Sequence, residues 1–136
     1  MRSAALAALV ALVLAACAAP SGAPIADCDI SWLNVESRIE ADVDGEPLTV
    51  PIDCFRELGR SRIRIGFTMP AGPDCYEIGD VATVEGAEEV SVTLVLVRND
   101  DLVAGACPDE EVRATTELDL QAPVDGRTLL DGSGGG

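Results

Sequence analysis

The sequence contains no histidine and no lysine, and all nine of its basic residues are arginine. Without histidine there is no Ser-His-Asp or Cys-His catalytic arrangement and no imidazole ligand for a metal. Arginine stays charged, so it serves neither as a general base nor as a Schiff-base nucleophile. Aromatic residues are scarce, with one Trp, one Tyr and two Phe, too few to supply a sugar-stacking platform well. No two cysteines stand in the C-x-x-C spacing of a structural zinc site. The uncharged apolar run from Ala4 to Ala16 has thirteen residues, where a helix that spans a bilayer needs about 20. The repertoire left is carboxylates, hydroxyls, one tyrosine and five cysteines.

That short apolar run is informative in itself. Arg2 gives it a positive flank, and small residues follow it, as in a secretory signal whose end a peptidase removes. Leu14-Ala15-Ala16-Cys17 resembles a bacterial lipobox, in which the cysteine becomes the new N-terminus and carries the lipid. Residues 1–16 are therefore expected to be a lipoprotein signal peptide and Cys17 the lipidated residue, anchoring the protein to the membrane. Residues 17–27, rich in Ala, Pro, Ser and Gly, are expected to form a flexible tether.

The charge is lopsided. Twenty-four acidic residues face nine arginines, or eight once Arg2 leaves with the signal, which changes the formal charge from −15 to −16. This argues against nucleic acid or an anionic membrane surface as a general partner, because neutralising phosphates takes basic residues. With Cys17 set aside, Cys28, Cys54, Cys75 and Cys107 remain, an even number that in an exported chain reads as two disulfides. Of three connectivities, Cys28–Cys54 with Cys75–Cys107 is favoured, since each pair then brackets one half of the strand pattern.

That pattern has mostly a period of two. Val35 to Val43 alternates, and Asp44-Gly45 signals a turn. Pro47 and Pro51 put the next strand at an edge. Asp53 to Gly59 reads as one helical turn, capped by Asp53 and ended by Gly59. Ser61, Ile63, Ile65 and Phe67 face one way, opposite Arg60, Arg62 and Arg64. Val81 to Glu85 is a short strand, and Val90 to Val97 is nearly continuously apolar, as in a strand covered on both faces. Val112 to Leu120 alternates again, and Arg127 to Leu130 closes the set. About seven strands separated by frequent turns predict an all-β fold, an antiparallel sandwich Ig-like in outline. It would occupy residues 28–132 as one domain, with 133–136 as a disordered tail.

The second half carries a further likeness. Cys75, the strand VTLVLV, GACPDEEVRATTELDL and the closing PVDGRTLLDG together resemble small, largely uncharacterised secreted and lipid-anchored proteins of actinobacteria. Cys107, Val112, Leu118, Pro123, Arg127 and Asp131 stand at the matching places. The resemblance implies fold and location and brings no activity with it.

Among candidate sites, the stripe Arg60, Arg62 and Arg64, with Arg56 just before it, suits bidentate recognition of carboxylate or phosphate. The plainer expectation is cross-strand pairing with Glu36, Glu40 and Asp42. Asp42, Asp44 and Glu46 suggest the start of a calcium loop but lack its later ligands, so a hairpin turn explains them. Asn99, Asp100, Asp101, Asp109, Glu110 and Glu111 read as solvated loop charges rather than a weak calcium site. Arg127 and Asp131 bracket the last strand, where a buried or half-buried arginine paired with a carboxylate near the domain's end is expected ahead of a functional role. Trp32 and Tyr76 are expected to pack beside disulfides. No cofactor, metal or catalytic residue is assigned. The chain reads as a cell-envelope lipoprotein on the outer face of the membrane, a non-catalytic binding or structural module for an envelope protein or cell-wall partner. A glycan hydrolase built on two carboxylates and a weak Ca²⁺-binding module are the alternatives.

Overall fold

The computed structural model describes residues 19–40, 45–70, 75–99, 107 and 110–134. Cys17, Asp42, Asp44, Asp100, Asp101 and Asp109 lie outside the described residues, and so do the expectations that rest on them.

Among the described residues the chain forms eight strands in two sheets. The strands are β1 (Ala23–Pro24), β2 (Pro47–Val50), β3 (Ile52–Glu57), β4 (Arg62–Met69), β5 (Tyr76–Glu85), β6 (Glu89–Arg98), β7 (Val112–Asp119) and β8 (Thr128–Asp131). The first sheet is built around β6. Strand β5 pairs with it from end to end on one side, while β2 and β8 share its other side, β8 running parallel to it. This central place explains why Val90 to Val97 carries so little polarity. The second sheet has the order β3-β4-β7. Ile63, Ile65, Phe67 and Met69 of β4 and Val90, Val92, Leu94 and Leu96 of β6 are all buried in one hydrophobic cluster that joins the sheets. The sandwich and both disulfides, Cys28–Cys54 and Cys75–Cys107, are as the sequence predicts.

Three local expectations are corrected. Residues 52–57 form a strand and not a helical turn. The chain changes sheets at Pro51: Val50 pairs with Leu94 in the first sheet, and Ile52 with Phe67 in the second. A register shift between Ile52 and Cys54 then places Asp53 out of step. Asp53, read as a helix cap, instead lies within β3, and Gly59, read as the helix's end, lies in the turn after it. The strand expected over Val35 to Val43 is represented, in its described part, only by isolated bridges from Ser37 to Thr115 and from Glu40 to Ile78. These two contacts lie in different sheets, so no continuous ladder can form there. Finally, the fold begins and ends outside residues 28–132. Ala23 and Pro24 pair with β8, Ile25 is buried, and Ser133 lies in a short 3-10 turn, Gly132–Gly134.

Residues 25–38 form a strap around the second sheet. Ala26 and Cys28 exchange backbone hydrogen bonds with Phe55 on the outer edge of β3 (3.0 and 2.9 Å). The 3-10 turn Ile30–Trp32, capped by Asp29, then crosses the sheet's outer face. Glu36 and Arg38 exchange bonds with Thr115 on the far edge, β7 (3.0 and 2.7 Å). The hydroxyls of Thr115 and Thr116, both buried, donate to the carbonyls of Glu36 and Arg38. One segment thereby bonds to both edges of a three-stranded sheet, at Phe55 and at Thr115, where the backbone would otherwise be open.

Candidate interaction surface

The arginine stripe lies on the outer face of the second sheet, because Ile63 and Ile65 take the inner one. Register places Arg64 opposite Glu117 and Arg62 opposite Asp119 on β7. Arg64 Nη2 donates to Glu117 Oε1 at 2.6 Å, and Arg62 reaches Glu117 Oε2 at 3.2 Å and Asp119 Oδ1 at 3.6 Å. The hydrogen bond from Arg64, helped by the charge of Arg62, holds the Glu117 carboxyl below the ordinary range against partial desolvation. Cross-strand pairing is therefore the structural state of these two arginines, but with different acids from those expected. Glu36 and Glu40 instead sit on residues 36–40, which bridge to Thr115 of β7 and Ile78 of β5. Which strand lies beside which is a property of topology that alternation does not encode.

Arg60 is not on the strand. It belongs to the β3–β4 turn, its side chain is exposed, and its carbonyl accepts the Val124 N–H at 2.8 Å. Arg56 faces Arg64 across the β3–β4 ladder. Neither Arg56 nor Arg60 has an acidic partner among the described residues.

Farther along the same face the strap covers the sheet. Trp32 lies over Gly66, where a Cβ would come within 2.8 Å of its ring and 2.7 Å of Cys54 Sγ. Arg113 stacks over the indole at 4.8 Å and donates to Ser31 Oγ at 3.0 Å. Asp29 accepts from both the hydroxyl and the N–H of Ser31, and these bonds, with the nearby Arg113 charge, lower its pKa.

Two open grooves flank residues 36–40. One, of about 350 Å³, has Met69, Tyr76 and Ile78 along it with Glu36, Arg38, Glu40 and Glu77. The other, of about 430 Å³, has Val81 and Leu118 with Glu40, Glu117 and Asp119. Ile39 stands between them, 87% exposed. The sequence pattern conceals these grooves, because it presents the segment as an ordinary strand with Ile39 among its inward residues.

The expected arginine–carboxylate pair near the domain's end is present, and its acid is Glu85, at the end of β5. Arg127 Nη1 lies 3.1 Å from Glu85 Oε1, with the side chains 7% and 13% exposed. The guanidinium also donates to the carbonyls of Pro123 (2.9 Å), Ala122 (2.6 Å) and Gly86 (3.4 Å). Burial opposes the charge on Glu85, but N–H groups of Gln121 and Ala122 and the Arg127 guanidinium outweigh it and hold the carboxyl below its usual range. Asp131 braces the backbone instead, accepting from Ile52 N–H and from the N–H and hydroxyl of Ser133.

Among the described residues no group of three or more Asp, Glu or Cys is placed to hold a metal ion. No family, curated protein or solved structure gives a significant match to this chain.

Proposed function

We propose that the chain is an exported lipoprotein, anchored through Cys17 on the outer face of the membrane, where its β-sandwich serves as a non-catalytic binding or structural module. The observation that carries this reading is the cysteine count after pairing. Four cysteines close two disulfides, and the fifth is the one behind Leu14-Ala15-Ala16. Disulfides persist in oxidising compartments, in keeping with export. The likeness of the second half to actinobacterial envelope proteins belongs to the same proposal. The pairing of Glu117 and Glu85 with arginines supports a structural use of these acids, since a general acid needs a raised pKa.

Intact-mass measurement of the protein from its native membrane is expected to show acyl mass on an N-terminal Cys17. Cys17→Ala is expected to abolish it and release the protein from the membrane fraction, because stable anchoring takes two lipid signals. An unmodified N-terminus beyond residue 17 overturns the proposal.

A further inference from the structure

We infer that one particular end of the sandwich is held against the bilayer, and that the opposite end, around Cys75–Cys107, points away from it. This rests on the lipid-anchored reading above.

Three connections meet at the near end. Ser61 and Arg60, in the β3–β4 turn, accept backbone bonds from Leu120 and Val124. Glu85, where β5 enters its turn to β6, holds Gln121 and Ala122, and Arg127 reaches back to Gly86. The N-terminal segment is fixed to this same end. A Cβ on Gly86 would lie 3.0 Å from the Pro20 ring. At Gly22 the backbone has φ +127° and passes so close to the Asp131 carbonyl that a Cβ would fall 2.0 Å from its oxygen. Ala23 and Pro24 then pair with β8, and Ile25 donates to Leu129 at 2.8 Å.

The chain is thus attached to the domain from Pro20 onward. Only three residue steps separate Cys17 from Pro20, and each spans at most about 3.5 Å, so the reach is about 10 Å. A free tether over residues 17–27 would reach about 35 Å and leave the domain unoriented. With the shorter link, the turns bearing Leu58, Arg60, Ala87 and Glu88 stay at the headgroup layer. Leu58 and Arg60 are exposed there, an apolar group and a cation suited to that layer, while Glu57, Glu88, Glu89 and Asp125 keep the end from inserting. Strand β6 has ten residues, which at about 3.3 Å each carries its far end some 30 Å outward. There lie Glu46, Tyr76, Arg98, the second disulfide and the groove along Met69 and Tyr76.

The test uses the full lipidated protein in its native membrane, with photoreactive p-benzoylphenylalanine placed at Ala87 or at Glu46, both exposed. Lipid adducts are expected at least about fivefold more often from Ala87, given some 30 Å between the positions. A flexible Gly/Ser insertion of about ten residues between Ala19 and Pro20 adds about 17 Å of reach and is expected to erase most of the difference. Equal adducts in the lipidated protein, or a difference that survives the insertion, overturn the orientation alone. Absence of acyl mass in the same sample overturns the orientation together with the reading beneath it.

Discussion

Arg127 and Arg64 each bond a glutamate from elsewhere in the sandwich, at 3.1 and 2.6 Å, yet the two pairs work under different conditions. The shorter contact is the more solvated one: the Arg64 side chain is 33% exposed and that of Arg127 is 7% exposed. Around Arg127 three carbonyls take up three of the four remaining guanidinium donors, and two backbone N–H groups serve Glu85. Around Arg64 the Nε atom is buried without a partner. Distance alone would rank these pairs the wrong way round. What separates them is how completely each buried polar atom is satisfied and how much water can screen the charges.

Removing Arg127 is accordingly the most damaging of the changes that probe this contrast. Arg127→Leu leaves Glu85, only 13% exposed, without its cation, and breaking a pair so far withdrawn from water costs about 3 kcal/mol. In a domain of about 110 residues that corresponds to a fall in Tm of about 15 °C. Thermal unfolding monitored by circular dichroism under non-reducing conditions reads it directly. A loss no larger than that of a surface substitution would mean that the pair is not buried in solution. The same pair also gives stability a dependence on pH. The folded pKa of Glu85 is depressed, so its contribution is complete above the unfolded-state value, about 4.3. It is then lost as pH falls through the lower folded value. Glu85→Gln is expected to flatten that acid-side decline.

The second contrast lies within one sheet face, between the part under Trp32 and the open part carrying Arg62 and Arg64. Gly66 allows the covered part, since its missing side chain leaves room for Cys54 and the indole. Gly66→Ala forces one of them to move, and overpacking of this kind costs about 1–3 kcal/mol. Trp32 is the only tryptophan, so its displacement is expected to shift emission to longer wavelength. Unchanged emission and stability would show that the strap does not rest on Gly66.

Much of this architecture is legible in the sequence, and the limits follow from what alternation can carry. The inward set Ile63, Ile65 and Phe67 and the central strand Val90 to Val97 emerge because each stays in one environment over its length. The strap does not emerge, because residues 36–40 pass from the edge of one sheet to the edge of the other, and a pattern of period two cannot report such a transfer. Residues 53–59 mislead for another reason: an aspartate and a glycine six apart read as a helix cap and stop, whereas Asp53 lies within a strand and Gly59 in the turn that follows it. For the arginines, alternation shows which way the side chains point, and the facing acids require the strand order. The disulfides are legible from the even count and the bracketing of each half.

The smallest effect expected is also the one that decides what the arginine face is for. Arg62→Ala combined with Arg64→Ala removes two partly exposed cations and leaves Glu117 and Asp119 beside one another on β7. Surface substitutions rarely change stability much, so Tm is expected to stay within about 3 °C of the unaltered protein. Glu117 provides a more sensitive reading, because its lowered pKa depends first on the Arg64 hydrogen bond. Its titration, followed by NMR of the side-chain carboxyl, is expected to move up toward the ordinary carboxylate range. Paired as they are, these arginines have their bidentate geometry already occupied. Capture of crosslinked envelope neighbours is therefore expected to be unchanged by the double substitution. Loss of a captured partner at unchanged Tm would show that a ligand carboxylate displaces Glu117, and would make the stripe a docking surface held closed by its own strand.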